Sequence, residues 1–203
     1  MGGQCIKLNF MKPALLVIDC QNDFIKDSSP YACQMLDAEL IAKIKALISF
    51  CRSRGIPAVY TQHSIKTDKS NAEFGEPADV RACIVGTRGW EIIDDLKPQS
   101  GEAVVEKDKY DAFYNTGLDG VLRELGVDTL IISGVLTNNC VRATAEGGHY
   151  RNFKIILVSD CCGATSYLED KTDKEVHDLT LRCLRERMYE TDIMPLDGLK
   201  QLF

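Results

Sequence analysis

The stretch DTLIISGV (residues 128–135) holds Leu130, Ile131, Ile132 and Val135 in one short apolar run without regular polar alternation. A strand that is apolar on both sides is buried on both sides, as in a parallel sheet covered by helices. Working outward, ALLVID (14–19), IPAVYTQ (56–62), EAVVEK (102–107) and KIILVSD (154–160) repeat the pattern, and TDIM (191–194) reads as a short last strand. Amphipathic stretches lie between them. In residues 37–54, Leu40, Ile41, Ile44, Leu47, Ile48 and Cys51 make a helical stripe, with Asp37 placed to cap it and Gly55 to close it. Further helices are expected from Thr116 as cap through Leu125, from about Asn139 to Tyr150, and from Asp173 to Met188. This alternation predicts a three-layer α/β/α domain around a mostly parallel sheet of about six strands.

The chain has 203 residues, which suits one domain over 1–203, with residues 1–10 a short extension of little structural role. Its net charge of -6, without a basic stripe, speaks against nucleic acid as a partner. No run of about 20 apolar residues is present to span a membrane. Nine cysteines, odd in number and without a Cys-x-x-Cys, form neither a disulfide framework nor a zinc ribbon. Cys20, Cys51, Cys83 and Cys183 read as buried small hydrophobes. So many free thiols imply a reducing compartment, and hence a cytoplasmic location. The polar stretch from Ser64 to Gly89 is long for a connector and is expected to line a site or a subunit contact.

In open parallel sheets ligands lie beyond the carboxyl ends of the strands. Asp19 ends the first predicted strand, Lys107 ends the third, and Cys140 follows the fourth where a helix begins. Singly, each has an ordinary reading: a turn-forming aspartate, a solvated lysine, a structural cysteine. A helix start also favours a thiolate, the reactive form of cysteine. Three complementary groups at one sheet edge make a nucleophile with an acid–base partner the sharper reading.

The segments LLVIDCQNDF (15–24), VYTQH (59–63), VVEKDKYDAFYNTGLDGVLRELGVDTLIISGVLTNNCVRATA (104–145) and VSDCCGATS (158–166) carry a resemblance. The chain after Met11 resembles the isochorismatase-like cysteine hydrolases, a group that includes nicotinamidases, N-carbamoylsarcosine amidases, and ureidoacrylate and biuret hydrolases. The resemblance implies catalytic roles for Asp19, Lys107 and Cys140, with Lys107 preferred over the nearby Lys109. It further implies a cis peptide between Val135 and Leu136 and an oxyanion hole from the Leu136 and Cys140 amides. A small-molecule substrate and a homo-oligomer, dimer or tetramer, are expected on the same ground. Isochorismatases proper lack the cysteine, so Cys140 points to C–N bond hydrolysis of a small amide, carbamoyl or ureido compound through a thioester. The alternatives are a non-amide acyl substrate and a redox-sensing role for Cys140, with Cys161 or Cys162 as resolving thiol.

Nicotinamidases of this fold bind a divalent metal with an Asp-x-His pair and a later histidine. His63 matches the later position, but residues 24–55 contain no histidine. No metal and no other cofactor are therefore expected. His63 either faces the substrate pocket or simply finishes a strand. Phe24, Tyr110 and Phe113 are pocket-wall candidates that read equally well as core. Arg88 is weighed as a reader of a substrate carboxylate or carbonyl, with a surface arginine preferred. His149 and His177 are expected to be structural or surface residues.

Overall fold

The computed structural model describes residues 11–72 and 82–203. Six strands, β1 (Pro13–Ile18), β2 (Ala58–His63), β3 (Ala103–Lys107), β4 (Thr129–Val135), β5 (Lys154–Gly163) and β6 (Thr191–Met194), form one sheet in the order β3-β2-β1-β4-β5-β6. Every pairing is parallel. The helices are α1 (Ala38–Ser53), α2 (Leu118–Glu124), α3 (Arg142–His149), α4 (Asp173–Arg187) and α5 (Leu196–Leu202).

The central strand β1 explains the layering. Leu15 and Val17 enter a core shared with Leu40, Ile44, Leu47, Ile48 and Cys51 of α1 and with Leu196 and Leu199 of α5. Ala14, Leu16 and Ile18 enter a second core with Leu118 and Leu122 of α2, Ala145 of α3 and Leu181 and Leu184 of α4. Side chains alternate across a strand, so a strand serving two cores must be apolar at every position. Each fully buried leucine or isoleucine contributes roughly 1.5–3 kcal/mol. The three-layer α/β/α expectation is met.

Local chemistry sets the helix ends. The Asp37 carboxylate accepts from the Glu39 and Leu40 amides at 3.0 Å, and Gly55 takes a φ of 68° just past α1. Thr172 and Glu175 close a capping box on α4. Thr116 is one residue further from α2 than expected: the N-cap is Gly117, and Thr116 Oγ1 accepts from Leu118 N at 3.2 Å while donating to the Ala112 carbonyl. Two features exceed the sequence reading. β5 runs on through Cys161, Cys162 and Gly163, and α5 follows β6 directly after Pro195. Cys183 is half-buried, whereas Cys20, Cys51 and Cys83 are buried as expected. The expectation for residues 1–10 lies outside the described residues, as does part of the Ser64–Gly89 stretch.

Candidate active site

β1 and β4 are neighbours, and the chain leaves them toward opposite halves of the sheet, β1 to β2 and β4 to β5. The crevice beyond their carboxyl ends is the topological switch point. Asp19 follows β1 with a φ of 47°, a left-handed conformation that aspartate tolerates better than most residues. Beyond β4 the Val135–Leu136 peptide is cis, and a π-helical turn (Thr137–Val141) carries Cys140 into α3. Lys107 is the last residue of β3, paired in register with His63 of β2.

The three side chains meet in a closed cluster. Lys107 Nζ lies 2.6 Å from Asp19 Oδ2, with both side chains fully buried. It also donates to Cys140 Sγ at 3.3 Å and to the Lys109 carbonyl at 3.0 Å. Lys109 itself turns away, donating to the Asn71 carbonyl at 2.9 Å. Thr61 Oγ1 donates to Asp19 Oδ1 at 2.6 Å and accepts from the Asp19 amide at 3.1 Å.

Electrostatics follow from this packing. Burial pushes the Asp19 carboxyl upward, but the Lys107 ammonium, with His63 and Thr61, outweighs it and leaves the pKa below the usual value. Burial opposes the charge on Lys107, yet Asp19 and Cys140 hold its pKa above the ordinary lysine value. Burial raises the Cys140 thiol to about 12, with Lys107 pulling the other way. Burial therefore works against the thiolate that the helix start and Lys107 favour.

A second layer braces the cluster. Gln21 Nε2 donates to the carbonyls of His63 (2.9 Å) and Trp90 (2.7 Å), and its Oε1 accepts from the His63 amide at 2.8 Å. Trp90 Nε1 donates to Ser64 Oγ at 2.8 Å. Asp23 Oδ2 accepts from the Cys83 amide at 2.7 Å, beneath a glycine, Gly89, whose Cβ would collide with that carboxylate. A loop thus packs over the end of β1 through Gln21 and Asp23.

The remaining candidates divide. Burial pushes His63 down to about 4, with Lys107 adding to the effect, and its Nδ1 is enclosed without a partner among the described residues. Tyr110, next to Lys109, is about half exposed. Phe24 lies in a 3-10 turn (Asn22–Phe24) and packs against the α1 core. Phe113 is corrected to a core residue. It stacks on Phe153 at 6.0 Å and carries the Arg151 guanidinium over its ring at 4.7 Å. Arg88 is exposed and ion-paired with Glu91 and Asp94, in keeping with the preferred reading of a surface arginine. His177 is buried and bonded to Thr137. Cys161 and Cys162 point into opposite cores, and burial raises both thiols. The sequence reading passed over Thr61 and Gln21. Their only signal is a polar residue placed in, or just after, an apolar strand.

Among the described residues no three His, Cys, Asp or Glu side chains gather as a metal site. His63 without an Asp-x-His pair does not fit the donor set of a divalent metal, so no metal enters the chemistry derived below. No helix of the described residues is long and apolar enough to cross a membrane.

A parallel sheet of this order, with an acid, a lysine and a cysteine gathered at its switch point, defines a class of three-layer α/β proteins. Residues 13–188 match the isochorismatase domain, and the chain belongs to the isochorismatase family. It is 31% identical over 170 residues to nicotinamidase 3 of Arabidopsis thaliana, covering 83% of this chain and 78% of that protein. It is 30% identical over 168 residues to the ureidoacrylate amidohydrolase of Serratia proteamaculans, covering 72% and 68%. The solved N-carbamoylsarcosine amidase of Thermoplasma acidophilum superposes with a TM-score of 0.74 at 31% identity, covering 91% of this chain and 96% of that one.

Proposed function

We propose that this protein is a cysteine-dependent hydrolase that cleaves a C–N bond of a small linear amide, carbamoyl or ureido compound. The observation that carries this reading is Lys107 Nζ set 2.6 Å from Asp19 Oδ2 and 3.3 Å from Cys140 Sγ. The amidase names of the relatives support the substrate class.

In this reading Asp19 takes the Cys140 proton as Sγ attacks the substrate carbonyl carbon, so the high thiol pKa is overcome only as the C–S bond forms. Lys107 remains protonated and holds both partners. The carbonyl oxygen, now negative, accepts hydrogen bonds from the Leu136 and Cys140 amides. Collapse breaks the C–N bond, and Asp19 returns its proton to the departing nitrogen. Ammonia or an amine leaves behind a thioester. Water then attacks the thioester, Asp19 takes a proton from it, and the acid product departs as the Cys140 thiol is restored. Nicotinamide is disfavoured as substrate, because the metal donor set expected of nicotinamidases is missing. His63 and Tyr110 are the pocket residues carried forward with this reading. Its setting is a reducing cytoplasm, supported by the buried free thiols, and its assembly a homo-oligomer, supported by the family resemblance.

Ammonia release from nicotinamide, N-carbamoyl amino acids, biuret, maleamate and ureidoacrylate-like compounds tests it, with and without chelator. Chelator-insensitive release that vanishes in Cys140→Ala is expected. Release that persists in Cys140→Ala overturns the nucleophile.

A further inference from the structure

Three polar side chains stand directly before Cys140, and all three are tied to the segment that follows β5. Thr137 Oγ1 lies 2.9 Å from His177 Nδ1. Asn138 Nδ2 donates to the Thr165 carbonyl at 3.0 Å, and the Thr165 amide returns a bond to Asn138 Oδ1 at 3.4 Å. Asn139 Nδ2 donates to the Tyr167 hydroxyl at 3.0 Å. Water can replace the last of these, which is exposed. The first it cannot: Thr137 is 0% exposed and His177 5%. A buried polar pair that loses one partner leaves the other with its full desolvation penalty.

We propose that His177 is a positioning residue of the active site. Through Thr137 it fixes the π-helical turn that sets Cys140 Sγ opposite Lys107. His177 sits on α4, which packs on that turn. In the neutral ring with Nδ1 unprotonated, the Thr137 hydroxyl donates to Nδ1, and this tautomer is assigned from that contact. Burial lowers the His177 pKa and so favours the neutral ring this arrangement needs. The imidazole thereby pins the nucleophile turn to α4. Displacing a reacting group by about 1 Å costs on the order of 10²-fold in rate, so a side chain that never touches substrate can govern the chemistry.

The inference rests on the hydrolase reading for its kinetic arm and needs a second arm that does not. Thr137→Val and His177→Leu remove the bond while keeping size. Thr137→Ser and His177→Asn keep a hydroxyl and a δ-position acceptor. Thermal melts select the folded variants. In ammonia-release kinetics the two apolar variants are expected to lose roughly 10–100-fold in kcat with KM changed little. The conservative pair recovers most of that loss. In parallel, iodoacetamide labelling of Cys140 at fixed pH is followed by peptide mass spectrometry. Labelling slows several-fold in the apolar pair, because Lys107 stabilises the thiolate only at its present distance, and it recovers in the conservative pair. Failure of every amide in the panel would bear on the hydrolase reading alone, since labelling still reports the turn. Unchanged or faster labelling in folded Thr137→Val and His177→Leu overturns the positioning role.

Discussion

Thr61 grips Asp19 at two points, donating its hydroxyl to Oδ1 at 2.6 Å and accepting the Asp19 amide at 3.1 Å. One β2 side chain therefore sets both the carboxylate and the left-handed backbone from which it projects. Thr61→Val keeps the shape and removes both bonds. Loss of a partner at a buried group costs about 1–3 kcal/mol. The expected outcome is a fall in kcat/KM on the order of tenfold and an acid limb shifted to higher pH, because the hydrogen bond that helps lower the Asp19 pKa is gone. Thr61→Ser restores both, as read from kcat/KM against pH.

Lys107→Met leaves Asp19 as a buried carboxylate without its cation. Breaking such a pair costs about 3–5 kcal/mol, whereas removing both charges is close to neutral. Urea melts should therefore show Lys107→Met strongly destabilised and the double variant Lys107→Met, Asp19→Asn more stable than that single one. Neither should hydrolyse substrate, since the double variant has no base.

Acid should weaken the fold before it reaches the carboxylates. Burial, the largest influence on each ring, lowers His63 to about 4 and moves His177 in the same direction. Histidines with lowered folded pKa values bind their protons more readily when unfolded, so their contribution is complete above about 6.5 and declines as pH falls toward the folded values. Asp19, also lowered, adds its loss as pH falls through the ordinary carboxylate range toward its lower folded value. Thermal melts at pH 7 and pH 5 should differ by a few degrees, with pH 7 the more stable. In His63→Gln and His177→Asn the difference should shrink.

Gly134→Ala tests the close approach of the two central strands. Gly134 has a φ of 115°, and a Cβ there would stand 2.1 Å from the Ile18 carbonyl oxygen. Neither strand can move without displacing Asp19 or Cys140. The expected result is loss of soluble folded protein, measured against wild type by expression and circular dichroism.

The sheet was legible because its strands are buried on both faces, which leaves a continuous apolar signature in β1, β4 and β5. The meeting of Asp19, Lys107 and Cys140 followed from the rule that chemistry gathers at strand ends. Other features left weaker traces. α5 is one short helix whose stripe is only Leu196 and Leu199, too brief for periodicity to register. Thr61 and His177 owe their importance to partners on other elements, 42 and 40 residues away, and no local pattern encodes such a meeting. Phe113 shows the converse: its place beside a motif suggested a pocket, but α3 and Phe153 enclose it.

Of the eight described cysteines, seven are buried and all are free. While the fold stays closed, the six buried thiols other than Cys140 are shielded from oxidants in solution. Once the chain opens, those six sulfurs become available to cross-link at random. Unfolding in air should then be a one-way event, and in reductant a reversible one, so that the lifetime of a preparation is governed by how often a molecule opens as much as by how stable it is.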